Sequence, residues 1–144
     1  METETMGRVV TEVTFENVRD LWAAEQGLIL ADQIRRIVVK DALVDTGATY
    51  LSMPTRMIRQ LGLSKGDTRR IRTCAGLVDA SLYGPVQFTI QDRTGTLDVM
   101  EMADDVPVLI GQIPLELLDF VVDPQSCSLI GNPAHGGKWM AELY

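Results

Sequence analysis

One aspartate stands at the end of an apolar run and directly before a Thr-Gly pair, in the segment Ala42-Leu43-Val44-Asp45-Thr46-Gly47-Ala48. A carboxylate in so apolar a setting loses part of its hydration, which is costly unless neighbours hydrogen-bond it or it shares a proton. Gly47 permits a sharp turn, and the Thr46 hydroxyl is expected to tie that turn down. The segment therefore indicates a positioned acid, with a turn aspartate that caps its own loop as the structural alternative.

A second apolar segment that ends in glycine lies later in the chain. It is Leu109-Ile110-Gly111, and the pattern from Ile113 to Asp119 predicts a short helix directly after it. Together the two segments resemble the aspartic proteases, and the chain length favours the retroviral-type, single-domain branch (retropepsin-like, clan AA) in a bacterial-like member. Those enzymes carry hydrophobic-hydrophobic-Asp-Thr/Ser-Gly-Ala and, later, hydrophobic-hydrophobic-Gly before a short helix. The resemblance covers about residues 34–130.

The resemblance implies a role for each matching residue. Asp45 is the catalytic acid, Thr46, Gly47 and Ala48 shape the active-site loop, and Leu109-Ile110-Gly111 is the supporting core. Aspartic proteolysis needs two carboxylates that share one proton and activate a water between them. Because the chain holds a single Asp-Thr/Ser-Gly motif, the resemblance predicts a homodimer in which each subunit contributes Asp45 to one site.

The family's flap, a β-hairpin that folds over the bound peptide, falls by resemblance within Asp67–Ile90. Its tip is expected at Cys74-Ala75-Gly76-Leu77, although Gly76 alone supplies obvious backbone freedom there. Arg69, Arg70 and Arg72 lie close to that tip. Such a run is more often a solvated strand face than an anion site.

Alternating apolar and polar residues predict many short strands, of which Arg8–Phe15 is the first. Helical spacing predicts a helix over Thr55–Leu61, capped by Thr55 and ended by Gly62. The segment Asn17–Gln26 fits a helix or a connecting loop. The sequence thus predicts an all-β domain with one or two short helices, which the resemblance specifies as a retropepsin-like half-barrel closed by homodimerisation.

The sequence divides into three parts: a disordered terminus, one domain and an extension. Residues 1–7 form a disordered amino terminus, residues 8–131 form the protease-like domain, and residues 132–144 form a carboxyl-terminal extension. The extension is longer than the family pattern requires, so it is expected to cover an edge, extend the dimer contact or occupy part of the substrate groove. His135, within it, is expected to be a loop histidine.

Composition narrows the partners. The net charge of −7 argues against nucleic acid or an anionic membrane as the main partner. No apolar run approaches the roughly 20 residues of a membrane-spanning helix, and the first residues lack the positive start of a secretory signal, so a cytoplasmic location is expected. One histidine and two cysteines in unlike contexts form neither a metal set nor a disulfide framework, and no cofactor is implied.

The function that these residues favour is an aspartic endopeptidase acting on a peptide or protein substrate. Two alternatives stay open. One is a catalytically silent, protease-like domain that dimerises or binds peptides, and the other is an unrelated β-barrel that happens to contain Asp-Thr-Gly.

Overall fold

The computed structural model describes residues 8–143, so the expected disorder of residues 1–7 lies outside the described residues. The described residues form nine strands and three short α-helices. In chain order they are β1 (Val9–Asn17), α1 (Val18–Glu25), β2 (Arg36–Val44), β3 (Leu51–Pro54), α2 (Thr55–Leu61), β4 (Ser64–Thr73), β5 (Gly76–Ile90), β6 (Arg93–Met102), β7 (Leu109–Ile110), α3 (Gln112–Leu117), β8 (Phe120–Asp123) and β9 (Ser128–Gly131). Within residues 8–143, no helix has the length and apolar character needed to span a membrane.

Seven strands form one sheet in the order β1-β2-β7-β3-β6-β5-β4, and β8 and β9 form a separate hairpin. Strand β1 also pairs with β5, with Phe15 opposite Phe88, so the sheet curls back on itself as a half-barrel. The predicted all-β class is confirmed. Closure of the half-barrel by a second copy stays a prediction.

Strand β5 shows how the sequence pattern builds the core. From Ala80 to Ile90 every second residue is buried, as expected for a strand with one face against the interior. Ala80 and Leu82 pack with Met100 in a smaller cluster, while Val86, Phe88 and Ile90 join the main core, to which other strands, α2 and α3 contribute. The largest fully buried side chains in it include Phe15, Leu51, Met53, Leu61, Phe88, Ile90, Ile110, Leu115 and Leu118. By contrast, the first four residues of β5 and most of β4 are exposed, so the end of this hairpin extends beyond the core.

The segment that the sequence left open, Asn17–Gln26, is a helix. The Asn17 side chain caps α1 by accepting a hydrogen bond from the Asp20 amide at 3.1 Å, and its amide group donates to the Leu61 carbonyl at 2.8 Å. Asp20 in turn accepts from Nε and Nη2 of Arg35 at 2.8 and 2.9 Å. These bonds favour the ionised carboxylate, so Arg35 lowers the pKa of Asp20. The described chain therefore has three helices rather than one or two.

Helix α2 has the predicted bounds but not the predicted cap. Gly62, with φ of +66°, ends it in the left-handed conformation. Thr55 is the first helical residue, and Pro54 occupies the capping position. The Thr55 hydroxyl donates instead to the Glu101 carboxylate at 2.8 Å, because β3 runs beside β6 and brings this acceptor within reach.

The described part of the extension folds back onto α3 and the start of β8. His135 Nδ1 lies 2.6 Å from Asp119 Oδ2, and its Nε2 lies 3.1 Å from Glu142 Oε2. The Met140 amide donates to Asp119 Oδ2 at 3.2 Å, and the Trp139 indole donates to the Leu117 carbonyl at 3.3 Å. The loop histidine is thus held between two acids. We call His135, Asp119 and Glu142 the tail clasp.

The tail clasp predicts that docking of the extension depends on pH. Asp119 and Glu142 raise the pKa of His135 above its usual 6.5, and His135 holds the pKa of Asp119 below its usual 3.8. The stabilisation is therefore fully present between pH 3.8 and 6.5, and it is lost as pH rises through the raised pKa of His135. We expect the hydrogen-exchange protection factor of the Met140 amide, corrected for intrinsic exchange, to fall across that upper limit.

His135→Gln is the matched control, because glutamine keeps a hydrogen-bonding side chain that cannot become charged. Its Met140 protection should be lower and nearly independent of pH between 6 and about 9. Equal, pH-independent protection in both proteins would show that the charge of His135 does not hold the extension.

Candidate active site

Strand β2 carries Asp45 to the end of the core. Ala42 and Val44 are buried, and Val44 lies beside Ile110 in the parallel pairing of β2 with β7. The pairing continues past the last strand residue, because the Asp45 amide donates to the Ile110 carbonyl at 3.0 Å. The apolar run thus ends as a buried strand, and the acid is the first residue beyond it.

The loop after β2 is held by a hydrogen bond to the Asp45 carboxylate itself. The Gly47 amide donates to Asp45 Oδ1 at 3.0 Å, and the Ala48 amide donates to the Asp45 carbonyl at 3.1 Å. Thr46 and Gly47 are exposed, while Asp45 and Ala48 are half-buried. The expectation that the Thr46 hydroxyl ties its own turn is wrong, since in residues 8–143 this hydroxyl makes no hydrogen bond. The Asp45 carboxylate holds the turn instead, by accepting from the Gly47 amide.

Residues 48–50, which follow the Asp45 turn, pass close to Gly111 and supply hydrogen-bond acceptors to the start of α3. Gly111, Gln112 and Ile113 donate their amides to the carbonyls of Tyr50, Ala48 and Thr49 at 3.1, 2.8 and 3.0 Å. The first amides of a helix have no acceptor within the helix, so residues 48–50 supply what the helix lacks. The two separated motifs are therefore one hydrogen-bonded unit.

Gly111 is required at this crossing by close approach rather than by its dihedral angles. A Cβ atom at Gly111 would lie 2.5 Å from the Tyr50 carbonyl oxygen and 2.7 Å from the Ala48 carbonyl oxygen. Both neighbours are backbone atoms, which cannot move without breaking the bonds to α3. Only glycine fits there.

An open groove of about 430 Å³ lies beside the Asp45 loop. One wall is formed by residues 47–50, and the facing wall is formed by residues 70–72 of β4. Ser52, Met100, Met102 and Leu109 also line it. The groove therefore runs between the loop that carries Asp45 and the hairpin that extends beyond the core.

The hairpin tip lies where the sequence placed it. The turn between β4 and β5 is at Cys74-Ala75, and Gly76 begins β5 with φ of +110°. The Thr73 hydroxyl accepts from the Ala75 amide at 3.1 Å and donates to the Gly76 carbonyl at 2.9 Å. Cys74, Ala75, Gly76 and Leu77 are all exposed. They are not among the residues that line the groove, and their role as a flap stays a prediction.

The structure brings Asp45, Thr46, Gly47 and Ala48 into one loop and places Leu109-Ile110-Gly111 directly beside it. Sequence reasoning missed the groove residues of β3 and β6, namely Ser52, Met100 and Met102. The period-2 spacing of the two methionines indicates a shared strand face, but only the parallel pairing of β3 with β6 brings that face to the groove. Among residues 8–143, no group of three or more His, Cys, Asp or Glu side chains could hold a metal ion.

The segment that carries the Asp45 loop matches a known protein family. A family model described as gag-polyprotein putative aspartyl protease matches residues 38–117, more than half of the chain. The matched residues include the Asp45 loop, the groove and Gly111. Among solved structures, the EIAV protease complexed with the inhibitor HBY-793 aligns with a TM-score of 0.48 and 20% identity, over 76% of this chain and 86% of that chain. No curated protein sequence matches the chain.

The Gly111 crossing predicts that Gly111→Ala destabilises the fold by about 1–3 kcal/mol, because its methyl group is forced against two carbonyl oxygens. Chemical denaturation followed by tryptophan fluorescence measures this free energy of unfolding. Gly66→Ala is the control. Its Cβ would meet Leu82 O at an ordinary 3.5 Å, so its stability should stay within about 1 kcal/mol of wild type. Equal stabilities of the two variants would contradict the role given to Gly111.

Proposed function

The chain belongs to the gag-polyprotein putative aspartyl protease family, and we propose on that basis that it is an aspartic endopeptidase. In this proposal, Asp45 activates the water that attacks the peptide bond. The observation that carries it is the state of the Asp45 carboxylate. It sits half-buried beside an open groove, and the only hydrogen bond to its side chain from residues 8–143 is the one from Gly47.

The reaction needs a second carboxylate, which we propose comes from a second copy of the chain. One Asp45 in its ionised form takes a proton from water, and the other, protonated, donates a hydrogen bond to the scissile carbonyl. Two carboxyl groups about 3 Å apart cannot both ionise easily, because their negative charges repel, so the pair keeps one proton. Exposure of Thr46 and Gly47 supports this arrangement, because a twofold axis at the loop places each Thr46 hydroxyl beside its symmetry mate.

The substrate is proposed to be an extended segment of a peptide or protein. The groove runs beside β4, which is at the edge of the seven-stranded sheet. Extended peptides bind along edge strands through main-chain hydrogen bonds. The exposed tip at Cys74–Leu77 would close over the bound peptide and exclude water from the acids. Water supplies the nucleophile and the carboxylates supply proton transfer, so the chemistry needs no cofactor.

Asp45→Asn tests the mechanism directly. Asparagine keeps the side-chain shape but cannot take or share the proton, so cleavage of a diverse peptide mixture, followed by mass spectrometry, should fall by about a thousandfold or more. Asp41→Asn is the matched control, since Asp41 is an exposed residue of the same strand, and its cleavage rate should stay near that of wild type.

The same pair of variants separates the proposal from a silent binding domain. Persistent turnover by Asp45→Asn would exclude Asp45 as the catalytic acid. If neither wild type nor Asp41→Asn cleaves any peptide while both dimerise and bind peptides, the domain is silent rather than catalytic.

Mixing subunits tests whether the site is shared. Wild-type and Asp45→Asn chains, unfolded and refolded together in equal amounts, pair at random, and only dimers with two wild-type chains hold two aspartates. The mixture should therefore retain about a quarter of the activity of undiluted wild-type dimers at the same total concentration. Retention of half the activity would mean that each chain works alone. Activity per chain should also fall on dilution as dimers dissociate.

A further inference from the structure

The groove beside the Asp45 loop has an apolar floor and a basic wall. Ile71 and Met102 pack against a small buried cluster that contains Met100, and all three line the groove. Arg70 and Arg72, on either side of Ile71, line it as well. No acidic residue is among the lining residues. We call Arg70 and Arg72 the basic rim.

Strong ion pairs do not neutralise the positive charge of the basic rim. Arg70 pairs with Asp79 at 3.4 Å, but the two side chains are 68% and 61% exposed, and an ion pair so exposed contributes little. Arg72 has no ion pair or side-chain hydrogen bond to any other residue in the 8–143 range. Both guanidinium groups therefore remain able to bind a carboxylate, for which their planar fork is well suited.

The positive charge is local to one strand of an acidic protein. Strand β4 carries four basic residues, Lys65, Arg69, Arg70 and Arg72, against the single acid Asp67, whereas the whole chain has a net charge of −7. That net charge repels a long polyanion such as nucleic acid. A short acidic peptide held in the groove responds mainly to charges within a Debye length of about 8–10 Å, and the charged residues that line the groove are the two arginines of the basic rim.

We propose that the groove selects peptides that place acidic side chains beside an apolar one. This inference rests on the proposed function and names its substrate class. The apolar side chain enters the floor at Ile71 and the two methionines, and carboxylates bind Arg72 and Arg70. Arg70 and Arg72 are two residues apart on a strand, a separation of about 6.4–6.8 Å. Alternate side chains of an extended peptide have about the same spacing. The preferred segment therefore has acidic residues at alternate positions.

Matched peptides test the selection. Each pair has one sequence with two glutamates at alternate positions around an apolar residue and one with glutamines in their place. Two readouts are used, kcat/KM for wild type and fluorescence-anisotropy affinity for the uncleaving Asp45→Asn variant. We expect both to favour glutamate by about threefold per carboxylate, as exposed ion pairs do, and the preference to shrink as salt is raised to about 1 M.

Three single substitutions assign the preference to residues. Arg72→Gln should remove most of it, and Arg70→Gln should remove a smaller part because Arg70 shares its charge with Asp79. Arg69→Gln is the control. It removes the same charge from the same strand at a residue that does not line the groove, so the preference for glutamate should persist.

The outcomes separate this inference from the proposed function. Equal cleavage of both peptides overturns the basic rim and leaves the protease in place. Equal loss in Arg69→Gln and Arg72→Gln also overturns it, because general attraction by β4 then explains the preference. If Asp45→Asn binds the glutamate peptide preferentially while wild type cleaves neither, the basic rim stands and the protease proposal fails. Absence of both binding and cleavage overturns both.

Discussion

The structure depends on the hydrogen bonds by which residues 48–50 accept the first amides of α3. A six-residue helix has few internal bonds to hold it, so its position is set by these acceptors and by buried Leu115. In return, the helix fixes the strand that leaves the Asp45 loop. Gly111 is the point at which the two backbones touch, and the orientation of the acid therefore depends on a residue that performs no chemistry.

The two walls of the groove differ in how firmly they are held. The Asp45 loop lies on the core side of the groove, tied to β7 and α3 by backbone bonds. The facing wall, β4, belongs to a hairpin whose far half is exposed and contacts little besides itself. Segments with few buried apolar contacts open at low free-energy cost. In the proposed protease, a firmly held acid thus lies opposite a wall that opens more readily, which suits substrate entry and release.

Local sequence predicted the features whose causes are local. The Asp45 turn and α2, with its ending at Gly62, follow from residues within a few positions of one another, whereas the tip at Cys74 was expected from the family resemblance. Features created by long-range contacts were missed. The Thr55 hydroxyl donates to Glu101, 46 residues away, and the Asp20–Arg35 pair joins α1 to the residue just before β2. No local pattern indicates such partners.

The groove and the extension show the same limit. Met100 reaches the groove only because β6 lies parallel to β3, and strand order is decided by burial over the whole sheet. Nothing near His135 in the sequence indicates its partner, since Asp119 precedes it by 16 residues and lies between α3 and β8. What the sequence could supply was the chemistry of each residue, and the fold decided which of them meet.

Strand β1 has a consequence for any attempt to shorten the protein. It is hydrogen-bonded to β2 along one edge and to β5 along the other, yet it lies entirely before residue 38, where the family match begins. A fragment trimmed to the matched residues would leave two strand edges with unpaired amides and carbonyls and would uncover Phe88. Such edges pair with other chains, so the trimmed fragment would be prone to aggregate.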